Sequence, residues 1–184
     1  MSWHTNFIAI KNFDESTEKL IKRLLVSINT DSCQKISFDD AGKSNVQGVA
    51  AGKIADWNIL FSPQLFLMPT WLLTDGFQSE IFKQLKEFQS DLISMSQKYD
   101  ILTCILEGVS GTYGYSFYSG GEIIREALFQ EGELIGEFGE NLPGEEEKYG
   151  EDKIFSICKK MGLFFDFDSN LNTEFVTYPW REQD

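Results

Sequence analysis

Several groups of residues in this 184-residue chain have side chains that do chemistry elsewhere, and each can be held against the spacing its chemistry needs. Ala41-Gly42-Lys43-Ser44 ends like a phosphate-binding loop, but the first glycine of that pattern would fall on Ser37. Asp39 and Asp40 would lie beside the phosphates, and a strand pattern follows where a helix N-terminus should face the anion. A glycine turn is the expectation there. Asp166, Asp168, Asn170, Asn172 and Glu174 alternate as calcium ligands do, yet Leu171 occupies the glycine position and Thr177 the bidentate glutamate position. A capped loop explains them with less. Gly108, Gly111 and Gly114 lie three apart, which is not a dinucleotide fingerprint, and read as a turn between strands. His4 is the single histidine, so a Ser-His-Asp triad or a Cys-His pair would have to form around an N-terminal residue expected to be mobile. Cys33, Cys104 and Cys158 lack paired zinc spacing; they read as reduced, buried thiols. No catalytic, cofactor-binding or metal-ligating set is assigned. With 29 acidic residues, a carboxylate pair acting on a small polar or sugar-like substrate stays open as an alternative.

The elements that would position such groups follow from periodicity. Phe7 to Ile10 predicts a strand, and Asp14 to Ser16 offer caps for a helix carrying Leu20, Leu24 and Ile28. Ile36 to Phe38, Val46 to Ala51 and Trp57 to Phe61 predict short strands separated by turns, the first at Asp39 to Gly42. A long helix is expected from Ser79 to Tyr99, with Ile81, Leu85, Phe88, Leu92, Met95 and Tyr99 inward and Gln89 among the outward residues. Four extended runs follow, Ile101 to Leu106, Thr112 to Tyr118, Glu122 to Gln130 and Glu133 to Phe138. Their connections are short enough to force antiparallel neighbours. A helix from Glu151 to Met161 and a strand from Phe175 to Tyr178 complete the pattern. The expected fold class is α+β, a single domain over residues 1–184, with an antiparallel meander packed on one face by two or three helices. Whether the early strands join the meander is left open.

Composition narrows function. Apolar residues at 42 % and sixteen Phe exclude a disordered chain. A formal charge of −13 argues against nucleic acid and against an anionic membrane surface as partners. No apolar run approaches the ~20 residues needed to cross a bilayer, and residues 1–6 lack a secretory pattern, so the expected address is the cytoplasm. The charge is uneven. Residues 131–152 hold nine acidic side chains and one basic, a local −8. Solubility is served equally well by scattered charge, and clustering costs stability through self-repulsion. One reading is a solvated loop whose acids favour the helix N-terminus. The other is a docking surface for a cationic protein, built from Glu137, Glu140, Glu145, Glu146, Glu147, Glu151 and Asp152. Tyr113, Tyr115 and Phe117 share one strand face, so Tyr118 is expected to be the exposed aromatic anchor of that surface.

Asp56-Trp57-Asn58-Ile59-Leu60-Phe61, Leu106-Glu107-Gly108-Val109-Ser110-Gly111-Thr112-Tyr113-Gly114 and Gln130-Glu131-Gly132-Glu133 together resemble small acidic bacterial proteins of polymorphic-toxin and contact-dependent competition loci. The matching segments span about the middle half of the chain and include no catalytic residue. The resemblance implies a cytosolic immunity protein that neutralises a cognate toxin by stoichiometric binding, the partner being a basic toxin domain. A regulatory or assembly module binding a host protein remains a third possibility.

Overall fold

The computed structural model describes residues 4–181 except 26, 43–46, 66, 74–78, 147–148, 167–169 and 171. Its frame is one nine-stranded sheet in the order β2-β9-β3-β4-β1-β5-β6-β7-β8, antiparallel throughout. The strands are β1 Asn6–Lys11, β2 Gln34–Ser37, β3 Val49–Ile54, β4 Trp57–Ser62, β5 Ile101–Glu107, β6 Thr112–Ser119, β7 Glu122–Gln130, β8 Glu133–Gly139 and β9 Glu174–Tyr178. The helices are α1 Thr17–Leu24, α2 Phe38–Ala41, α3 Glu80–Ser96 and α4 Gly150–Lys160. The α+β class is as expected, and the early strands do join the meander.

Central strand β1 shows why both faces are apolar. Phe7, Ile8, Ala9 and Ile10 are all fully buried, and since successive side chains point opposite ways, they feed two cores. Phe7 and Ala9 join Trp57, Phe61 and Phe175 under α2 and α4, while Ile8 and Ile10 join Leu20, Leu60 and Leu92 under α1 and α3. Helices therefore cover both faces of the sheet, where one covered face was expected. Each large side chain taken fully from water contributes roughly 1.5–3 kcal/mol, so the two cores together outweigh any single polar contact.

Local differences have local causes. Phe38 starts a helical turn instead of ending a strand, because the Ser37 hydroxyl accepts the Asp40 amide at 3.1 Å and caps it. Ser79 caps α3 as its position suggests, accepting from the Phe82 amide at 3.4 Å. The inward stripe of α3 begins at Leu85, and Ile81, one turn earlier, is exposed. Gln89 turns inward and donates to the Met68 carbonyl at 2.6 Å, which makes its burial affordable to the fold. Cys104 and Cys158 are buried as expected, but Cys33 is exposed on the segment leading into edge strand β2. His4 forms an antiparallel bridge with Glu107, so this N-terminal residue is tied to β5. Asn170 caps the loop after α4, donating to the carbonyls of Phe164 and Asp166 at 2.7 Å each. Lys43 and Ser44 of the phosphate-loop reading, and Asp168 and Leu171 of the calcium reading, lie outside the described residues.

Candidate protein-docking surface

The acidic stretch begins on β8, the last strand of the meander and one edge of the sheet. Glu131 and Gly132, with φ of 52° and 86°, make the two-residue turn that folds β8 back along β7. The register skips one residue between Leu128 and Phe129, which leaves Ile135 of β8 unpaired as a bulge. β8 is exposed at every position except half-buried Gly136, against which the Trp71 ring packs. Leu134, Ile135 and Phe138 remain 47 %, 50 % and 54 % exposed, flanked by the exposed carboxylates Glu131, Glu133, Glu137 and Glu140. The opposite edge, β2, is four residues long and carries no large exposed hydrophobic side chain.

A buried cation fixes the end of this edge. Arg125 on β7 donates through Nε and Nη2 to the two oxygens of Glu145 at 3.1 and 2.8 Å, and through Nη2 to Glu137 at 2.6 Å. Its Nη1 reaches the carbonyls of Phe138 and Gly139 at 3.3 and 3.0 Å. Burial works against the guanidinium charge, but the hydrogen bonds of Glu145 and Glu137 more than offset it and hold the group above its ordinary value. Glu145 in turn accepts the Leu142 amide at 2.6 Å, and its carbonyl accepts from the Lys153 ammonium on α4. The acidic loop is thus bolted to both β7 and α4. Two carboxylates share one guanidinium, leaving the cluster with a net negative charge and with Glu137 as its exposed member.

Several expected surface residues take other places. Glu145 is only 5 % exposed; it is the buried partner of Arg125 and not available for docking. Tyr118 is 1 % exposed. The parity that puts Tyr113, Tyr115 and Phe117 on the α4 face holds, but the other face is closed by α3, whose Leu92 and Met95 pack in the same core as Tyr118. Burial pushes its hydroxyl well above the ordinary tyrosine value. Tyr115 shifts the same way, through burial and then the neighbouring Glu145. Glu137, Glu140, Glu146 and Asp152 are exposed, Glu151 is half-buried in the first turn of α4, and Glu147 lies outside the described residues. Backbone amides of Glu146 itself and of Gly144 hold the Glu146 carboxyl below the ordinary range. The residues missed from sequence are the apolar members, Leu134, Ile135 and Phe138. The signal was present: β8 ends a meander, so it lacks a next neighbour in sequence, and Leu134, Ile135 and Phe138 put three large apolar side chains on that last strand.

Two further features bear on chemistry. Glu126 is fully buried on the α3 face; it accepts the Thr70 amide at 3.0 Å, the Thr70 hydroxyl at 2.5 Å and the Ser116 hydroxyl at 3.0 Å. This carboxylate anchors the segment around Thr70–Leu72 to the sheet. Beside it a cleft of about 360 Å³ is lined mainly by apolar side chains such as Leu65, Met68, Leu72, Ile105 and Leu128, with Glu107 the carboxylate among the described lining residues. Convergent carboxylates, which a sugar-cleaving site needs, are not assembled there. Among the described residues no group of three His, Cys, Asp or Glu is placed to hold a metal ion. No helix among the described residues is long and apolar enough to cross a membrane. Set against known proteins, the chain matches no family model, no curated protein and no solved structure.

Proposed function

We propose that this chain is a non-catalytic binding protein that docks a basic protein partner on the β8 edge and the adjoining acidic loop. The observation that supports it is the coincidence of three exposed apolar side chains with the acidic stretch: Leu134, Ile135 and Phe138 sit among Glu131, Glu133, Glu137 and Glu140. Scattered carboxylates serve solubility. An apolar centre rimmed by charge of one sign is what a protein interface needs, because the centre supplies affinity and the rim supplies rate and selectivity. The resemblance at Asp56 to Phe61, Leu106 to Gly114 and Gln130 to Glu133 gives the partner its class, a basic toxin domain neutralised by stoichiometric occlusion in the cytoplasm.

The test is binding to a basic toxin domain, the first candidate being any that a neighbouring gene encodes. A one-to-one complex is expected, with an association rate that falls at least about tenfold between roughly 0.05 M and 0.5 M salt. Glu133→Lys with Glu140→Lys, both outside the Arg125 cluster, should slow association and flatten that salt dependence. Unchanged kinetics in the double variant would sink the reading.

A further inference from the structure

We infer that the partner engages β8 by strand addition, contributing an extended segment that carries basic and apolar residues on both of its faces, so that the sheet gains a tenth strand. This rests on the acidic docking reading and specifies its geometry. Strand β8 runs seven residues at the sheet edge, and one side of its backbone faces no other strand among the described residues. Such an edge offers a row of amide and carbonyl groups to any extended chain that approaches. Glu133 and Phe138 share the face on which Trp71 packs, while Leu134 and Glu137 share the α4 face, as their pairing with Gln130, Glu126, Phe129 and Ala127 requires. Each face of the edge therefore presents one apolar and one acidic side chain. An added strand meets both on either face when Lys or Arg and Val or Leu come in consecutive pairs, since strict alternation would put every cation on one face. Glu137 has particular reason to take a second cation, since it shares Arg125 with Glu145.

A second copy of this chain is a poorer occupant. Pairing β8 with itself sets Glu133 and Glu137 of each copy near those of the other, and brings two Ile135 bulges into one ladder. Each molecule also carries a charge of −13. A basic strand removes the repulsion and leaves the partner's backbone free to follow the stretch Gly136–Phe138 that lies between the bulge and the bend at Gly139.

The probe is a peptide of about eight residues repeating Lys-Lys-Val-Val, which puts both kinds of side chain on each face, N-methylated along one edge so that it cannot stack on itself and has one free edge. The control carries the same charges with both edges N-methylated. With the isotopically labelled full chain, the one-edge peptide is expected to shift the amide resonances of Glu133 to Gly139 and to slow hydrogen exchange within Gly136–Phe138. The control should bind at least roughly tenfold more weakly. Equal, salt-sensitive binding of both peptides would overturn strand addition while leaving the acidic docking surface standing. Salt-insensitive binding, or no binding by either, would overturn both. Shifts confined to the β2 edge, or a free chain that sediments as a β8-paired dimer, would also overturn it.

Discussion

Arg125 aims its guanidinium at five acceptors, two on Glu145, one on Glu137 and the carbonyls of Phe138 and Gly139. A strand residue written between Ile124 and Glu126 gives no hint of this, because its partner carboxylate lies 20 residues away across a hairpin and a loop. Sequence could count the acids of residues 131–152 but could not tell the buried Glu145 from the exposed Glu146 beside it. What separates them is the position of one cation. Arg125→Met should therefore cost about 3–5 kcal/mol, since it leaves the Glu145 carboxylate buried and uncompensated. Adding Glu145→Met should restore most of that loss, because an apolar pair replaces an ion pair of similar volume. Urea unfolding of the two single variants and the double variant measures the coupling. Strictly additive losses would show that the two side chains do not depend on one another.

Elements were more legible than their surroundings. The strands of the meander and helices α3 and α4 could be read because side-chain period is local physics, and Ser79, Gly132 and Gly162 stand where a cap, a hairpin turn and a helix end require them. Tyr118 shows the limit. Its strand parity was right, but parity cannot say whether the second face meets water or a helix, and α3 covers it. The β8 edge depends on the bend that follows it, at Gly139, where φ is +81° and an added Cβ would lie 1.9 Å from the Ile124 carbonyl oxygen. Gly139→Ala should cost on the order of 1–3 kcal/mol from backbone strain. The clash should also detach the end of β8 from β7 and from the Arg125 guanidinium. Hydrogen exchange at the β8 amides should then quicken while β1 and β5, buried on both sides, keep their protection. Native-like protection along β8 would refute that account.

On the scale of the whole molecule, sheet order departs from chain order. Strand β9 inserts between β2 and β3 from the far end of the sequence, a pairing no local pattern announces. The result is an asymmetric object, with a short, polar edge at β2 and a long edge at β8 where exposed apolar side chains and exposed carboxylates meet. Holding like charges together destabilises the free chain, so their removal should reveal whether they serve a purpose outside folding. Glu133→Gln with Glu140→Gln, both exposed, is expected to raise unfolding free energy by roughly half a kcal/mol at about 0.01 M salt, where the Debye length of ~30 Å leaves the repulsion among neighbouring carboxylates largely unscreened. The gain should vanish near 1 M salt, where the Debye length shrinks to ~3 Å. The same variant should bind the one-edge Lys-Val peptide more weakly. Stability gained and binding lost together mean that the charge is kept for the partner. If instead the variant is no more stable at low salt, the clustered carboxylates impose no burden on the fold, and their concentration at one edge ceases to be a reason for supposing a cationic partner.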